Sequence, residues 1–183
     1  SPEALEYLGT TTIAPRHGEL ILAFCPERFA ATRASNTLSR AENLFEAFVE
    51  KAVAIVSGYR LGNPLDRDTT LGPMAHVRFA DHVREQTADA LASGARALID
   101  PELFPDQGGA YLMPQILIDV DHSMRVMREE SFGPVVGIMK VKDDAEAVAL
   151  MNDSEFGLTA SLWTRDIDRA TRVADQIETG TVF

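Results

Sequence analysis

From Ala41 onward the chain alternates helical and extended patterns, and that alternation is the strongest limit on what it can fold into. Leu44, Phe45, Phe48, Val49, Ala52, Val53 and Val56 recur at spacings of three and four, which places them on one face of a helix ending near Gly58. A second helix is expected from about Ala75 to Ser93, with Gly94 at its C-terminal end. Ala95 to Ile99 reads as a short strand, and Tyr111 to Val120 as a strand that Pro114 interrupts or confines to an edge. Val135 to Val141 follows as a buried strand, then Asp143 to Asn152 as a helix whose acidic first turn suits the helix dipole. Thr159 to Trp163 is a strand with Trp163 in the core, Asp166 to Glu178 a helix, and Gly180 to Phe183 the opening of a last strand. Parallel neighbours need crossover connections, so the pattern predicts an α/β fold: an open, mostly parallel twisted sheet with helices on both faces. Before residue 41, Pro2, Pro15, Pro26 and the Thr10-Thr11-Thr12 run give no sustained period, and only Leu20 to Phe24 reads as a short strand. The expected organisation is a divergent, irregular segment over 1–40 followed by an α/β domain over 41–183.

Charge narrows the function classes. With 17 Lys and Arg against 28 Asp and Glu the formal charge is −11, and the cations are scattered singly. Nucleic acid is not an expected partner, because phosphate contacts need clustered Lys and Arg. No apolar run approaches the roughly 20 residues of a membrane span, and the first residues lack the basic-then-apolar plan of a secretory signal, so no membrane contact and a cytoplasmic location are expected. The single cysteine, Cys25, allows neither an internal disulfide nor a multi-thiolate metal site. His17, His76, His82 and His122 lack metal-ligand spacing, and His76 and His82 do not share a face of the expected second helix.

One stretch does not read as packed interior. In Met124 to Val135, the carboxylates Glu129 and Glu130 sit beside Phe132, which costs solvation energy unless water, a cation or ligand hydroxyls take their lone pairs. Gly133-Pro134 then forces the chain out of helix and into a strand. Two readings follow from composition: a loop that delivers one carboxylate and one ring to the mouth of a sheet, or a solvated turn with a buried Phe.

Glu129-Glu130-Ser131-Phe132-Gly133-Pro134 closely resembles the Glu-Glu-x-Phe-Gly-Pro signature of the aldehyde dehydrogenase superfamily. Gly62-Asn63-Pro64-Leu65-Asp66 with Gly72-Pro73 resembles that family's Gly-x-Pro-x-Asp and Gly-Pro pair. Asn152 with Phe156-Gly157-Leu158 is similar to its Asn-x-x-x-aromatic-Gly-Leu segment, and Gly180-Thr181-Val182 to its Gly-Thr-Val strand. The motifs stand in the family's order from about Asn43 to Phe183. The resemblance implies that Glu130 takes the place of the carboxylate that hydrogen-bonds a nicotinamide ribose, and Phe132 that of the ring beside the nicotinamide. It implies NAD or NADP as cofactor and a small aldehyde as partner. Asn152 and the Phe156-Gly157-Leu158 turn are read as helix-ending and chain-turning residues. Homo-oligomer formation is expected wherever a sheet edge is left unpaired.

Oxidation of an aldehyde in this family proceeds through a cysteine thiohemiacetal, which makes Cys25 the candidate nucleophile. The family places its nucleophile in a Phe-x-x-x-Gly-Gln-x-Cys context with an Arg several residues on; the surroundings of Cys25 depart from it, offering Phe24 and Arg28 without the Gly-Gln, and an apolar-flanked cysteine is also an ordinary core residue. The family's nucleotide-binding domain, with its Glu-x-Gly-Gly-Lys stretch, has no counterpart in these residues. The chain therefore reads as the incomplete catalytic portion of an NAD(P)-dependent aldehyde dehydrogenase, or alternatively as a truncated, non-catalytic domain of that type with a structural or interaction role. A different α/β ligand-binding domain with coincidental motifs is the remote third reading. The genetic code also permits the codons for about Ala23 to Ser35, read from their third nucleotide, to encode Phe-Leu-Ser-Gly-Thr-Val-Cys-Cys, with the family's Gly-x-x-Cys spacing. Sequencing the coding DNA tests this: a shifted frame without Gly-x-x-Cys near the Phe ends the idea.

Overall fold

A computed structural model describes residues 20–25, 31–35 and 42–183, with side chains from Phe45 onward. The described residues fall into two compact units. One comprises those up to Glu50 together with Ile138–Phe183, and the other Lys51–Gly137.

In the first unit, β1 (Leu20–Cys25) and β2 (Ala31–Ser35) pair antiparallel, with Leu20 opposite Ser35. β2 runs parallel to β5 (Val135–Val141) with Thr32 opposite Ile138. On its other side β1 pairs antiparallel with β6 (Thr159–Trp163), and β6 runs parallel to β7 (Thr181–Val182). The expected strand at Leu20 to Phe24 is present. β2 escapes sequence reading because Ala-Thr-Arg-Ala-Ser has no apolar alternation.

Helices α4 (Asp144–Asn152) and α5 (Ile167–Ala174) alternate with these strands. Both begin on an aspartate cap: Asp143 accepts from the Glu146 amide at 2.8 Å and Asp166 from the Arg169 amide at 3.0 Å. Val141, Ala147, Val148, Met151, Ala160, Val173 and Ile177 form the core of this unit, with Phe156 and Leu162 packed against it. Trp163, expected in the core, is half-buried. α5 is shorter than expected, ending at Ala174, because residues 175–177 close in single turns instead, Gln176 bonding to the Val173 carbonyl and Ile177 to that of Ala174.

α1 (Glu42–Ser57) is shared by the two units: Phe48, buried, and Val49, half-buried, belong to the first, and the half-buried Ala52, Val53 and Val56 to the second. In the second unit, α2 (Val77–Ala92) follows, and Gly94 takes φ +104° just after its Ser93 cap, as a glycine stop requires. His76 is not in the helix: it is the N-cap, and its Nδ1 accepts from the Arg78 amide at 3.1 Å.

β3 (Arg96–Ala97) is only two residues long, both exposed, while the flanking Ala95 and Ile99 are buried. β4 (Gln115–Ile118) begins directly after Pro114, so the proline cuts the expected longer strand at its start. α3 (Arg125–Arg128) precedes β5. β3 and β4 are antiparallel, and β4 is parallel to β5 with Gln115 opposite Val135. Ile116 and Leu117 on β4 are fully buried.

The α/β class holds. The expected mostly parallel sheet is corrected: among the described residues three strand pairings are parallel and three antiparallel, since short hairpin-type neighbours such as β1 and β2 need no crossover. Among the described residues no helix is long and apolar enough to cross a membrane.

Arg169 on α5 is 9% exposed and is held by Asp144 of α4 through two bonds of 2.7 and 2.6 Å. Removing the carboxylate leaves a guanidinium with little access to water. The Asp144→Ala variant is expected to be less stable by about 2 kcal/mol, seen as a fall of several degrees in thermal midpoint; an unchanged midpoint would show that water reaches Arg169 freely.

Candidate functional site

The site begins with a polar residue on an apolar face. α2 buries Ala80, Val83, Gln86 and Ala90, and Gln86 is 0% exposed. A primary amide placed there must find partners within the protein or lose the free energy of its hydrogen bonds to water. It finds two on the segment that follows α3. Its Nε2 donates to Glu129 Oε2 at 3.1 Å, and its Oε1 accepts from Ser131 Oγ at 2.5 Å. Glu129 is also held from α3, where Arg125 Nε donates to its Oε1 at 2.8 Å, and Arg125 reaches Asp89 of α2 at 2.7 Å. His82 Nε2 lies 3.8 Å from Glu129. The Arg125 guanidinium first, and the Gln86 amide second, hold the Glu129 carboxyl below the ordinary glutamate value.

The exit of the loop is fixed by close packing. A Cβ on Gly133 would lie 2.7 Å from Val83 Cγ2 and 3.3 Å from Val83 Cβ. Because β-branched Val83 is buried and cannot swing aside, only glycine lets the loop lie on α2 here. Pro134, also buried, offers its carbonyl to the Gln115 amide at 2.7 Å and so starts the β4–β5 ladder.

Two side chains are left over. Among the described residues no hydrogen bond or ion pair engages Glu130, which is half-buried. Phe132 is 53% exposed. The alternative of a solvated turn around a buried Phe is thereby corrected: the ring is outside, and the buried residues are Gly133 and Pro134. The doubly acidic pair is divided, with Glu129 locked into the protein and Glu130 uncommitted.

The other candidates lie elsewhere. Cys25 ends β1, where its backbone is opposite Thr159 of β6; its side chain lies outside the described set. Asn152 is structural, as expected: its Nδ2 donates to the Gln176 carbonyl at 2.8 Å and its Oδ1 accepts from the Glu178 amide at 2.9 Å. Gly157 accepts from the Gly180 amide at 2.8 Å and from Thr179 Oγ1 at 3.0 Å, so this turn binds the protein to itself.

A cavity of about 430 Å³ in the second unit runs between α2 and the 104–115 segment, and neither Glu130 nor Phe132 lines it. Most of its polar side chains are engaged already. Arg84 donates to the Gly109 and Tyr111 carbonyls and to Asp81, Thr87 donates to the Val83 carbonyl, and Gln107 to that of Leu61. Gln115 Oε1 takes the amides of Leu98, Ile99 and Ile116. Such walls offer a polar ligand little to fix its orientation.

Gln86 is the residue that sequence reading missed. Its signal was present: it stands three after Val83 and four before Ala90, on the stripe that the helical period assigns to the interior. Nothing in the sequence, however, names Glu129 and Ser131 as its partners, because they lie more than forty residues away.

With the geometry in place, comparison with known proteins gives the family. The family model described as "Aldehyde dehydrogenase family" matches residues 33–183, beginning about ten residues before the motif resemblance does. Glutarate-semialdehyde dehydrogenase of Pseudomonas putida is 36% identical over 148 residues, covering 81% of this chain and 30% of that protein. Succinate-semialdehyde dehydrogenase [NADP(+)] GabD of Escherichia coli is 36% identical over 148 residues, with the same 81% and 30% coverage. The crystal structure of succinic semialdehyde dehydrogenase from Streptococcus pyogenes in complex with NADP+ superposes with a TM-score of 0.71 at 31% identity, over 78% of this chain and 31% of that one. The chain belongs to the aldehyde dehydrogenase family. It spans about 30% of the length of these curated relatives.

The depressed Glu129 carboxyl makes the loop tether acid-sensitive. A carboxyl whose folded-state pKa is lowered contributes stability above its unfolded value, ordinarily about 4.5, and loses it as pH falls through the lower folded-state value. Amide hydrogen exchange at residues 129–132 is expected to accelerate below that range, beyond the intrinsic pH trend, in the native protein. In Glu129→Gln the acid-dependent part should be absent; an identical pH profile in both proteins would mean that the ion pair does not tether the loop.

Proposed function

We propose that this chain is the part of an NAD(P)-dependent aldehyde dehydrogenase that receives the nicotinamide end of the cofactor. The observation that carries the reading is the pair of side chains left unused on an otherwise locked loop: Glu130, which has no hydrogen-bond partner among the described residues, and Phe132, 53% exposed. A carboxylate is an acceptor only and can take both hydroxyls of a ribose, and a flat apolar ring can lie beside a nicotinamide and exclude water. These residues fit the group. When bound, the nicotinamide supplies the hydride acceptor for oxidation of an aldehyde to a carboxylic acid.

The thiol of Cys25 is the proposed nucleophile, adding to the aldehyde carbonyl carbon to give a thiohemiacetal. Supporting it is its position before α1. The missing Gly-Gln in that context favours the second reading, a non-catalytic domain that keeps the nicotinamide contacts without turnover. Self-association and a cytoplasmic location belong to the proposal too. The first is suggested by the short β7, whose only strand partner among the described residues is β6, and the second by the absence of a membrane-length apolar run in the sequence.

Nicotinamide mononucleotide carries the ring and ribose without the adenosine half, so it tests the loop alone. Its titration into the chain is expected to give measurable binding that weakens about tenfold or more in Glu130→Ala. Equal binding by both proteins would remove Glu130 from the site. Incubation with succinate semialdehyde and NAD or NADP, followed by NAD(P)H absorbance, then separates the two readings. Turnover abolished by Cys25→Ser supports the enzyme, and binding without turnover supports the non-catalytic domain.

A further inference from the structure

We infer that Gln86 is a positioning residue for the cofactor loop: its one amide bridges the two residues that flank Glu130 and so sets where the Glu130 carboxylate stands. This rests on the reading of Glu130 given above. The amide is fully buried, donates to Glu129 at 3.1 Å and accepts from Ser131 at 2.5 Å. A carboxylate can only accept and a serine hydroxyl can donate, so each end of the amide has one partner it can satisfy, and exchanging the ends would place a carbonyl against a carboxylate. The clamp is therefore directional.

It is also stiff. Val83, one turn before Gln86 on α2, packs against Gly133 so closely that no Cβ fits, and Arg125 grips Glu129 from the other side. Residues 129, 131 and 133 are thus attached to the protein, and residues 130 and 132, which alternate with them, are left for a ligand. A hydroxyl-binding carboxylate on a free loop would have to be ordered at the moment of binding. On this loop the ordering is done when the protein folds.

The role divides by atom, which makes it testable. Gln86→Met keeps the length and bulk of the side chain and removes both bonds, Gln86→Glu keeps an acceptor for Ser131 but sets a carboxylate against Glu129, and Ser131→Ala removes one bond at a half-buried position with little risk to folding. Titration of nicotinamide mononucleotide is expected to show affinity about tenfold weaker in Gln86→Met, weaker still in Gln86→Glu, and reduced by a smaller factor in Ser131→Ala. Gln86→Met and Ser131→Ala are expected to be non-additive when combined, as partners in one bridge are. A merely structural Gln86 would lower thermal stability in all three while leaving the affinity of the folded protein at the native value, and that result overturns the inference. Amide exchange at 129–132 is the second measurement and needs no ligand. It is expected to rise in Gln86→Met and Ser131→Ala, and native-like protection in both overturns the clamp. If the native protein fails to bind the mononucleotide, the reading of Glu130 fails and the positioning role fails with it. The exchange measurement then still decides whether the clamp itself exists.

Discussion

The contact on which the second unit depends is the one between Val83 and Gly133. A helix and a loop that approach until a methyl group no longer fits must be brought there by something stronger than the contact itself, and the surroundings supply it. On one side of the glycine, the Gln86 amide and the Arg125 guanidinium hold residues 129 and 131. On the other, the Pro134 carbonyl begins the ladder with β4. The loop is pinned at both ends by directional bonds and in the middle by close packing. That combination lets it carry an unpaired carboxylate and an exposed ring without collapsing onto them.

The first unit uses different means. Its core is apolar and small, and its polar groups work at the rims: aspartate caps on α4 and α5, the Arg169–Asp144 pair between those helices, and Asn152 with both arms of its amide tied to residues 176 and 178. The turn at Gly180 donates to the carbonyls of the turn at Gly157. These are fittings of a scaffold: the polar groups of the Asn-x-x-x-Phe-Gly-Leu segment at Asn152 and Gly157 bind the protein to itself.

Elements with a long, single-period pattern were legible in the sequence. β5 and β6 appear with the expected ends, and α1 and α2 within a few residues, because apolar spacing alone determines them. The failures have separate causes. β2 lacks alternation, so only pairing across the sheet defines it. The strand around Arg96 shrinks because its apolar neighbours Ala95 and Ile99 are buried outside the ladder. His76 looked helical because capping depends on one side-chain bond that periodicity does not report. At the site, the motif pointed to Glu130 and Phe132, whereas the clamp beneath them was invisible: a buried Gln announces that partners exist, and only the fold says which.

Glu129 and Glu130 are the same letter twice, yet one is an internal fastening and the other an open hand. Any comparison of related sequences that weighs the two columns alike will blend separate histories. The column at 129 should drift together with those at 86 and 125, whose side chains complete its bonds, while the column at 130 has no such intramolecular partner among the described residues to hold it. On the fold's account alone, the second Glu is freer to be lost than the first.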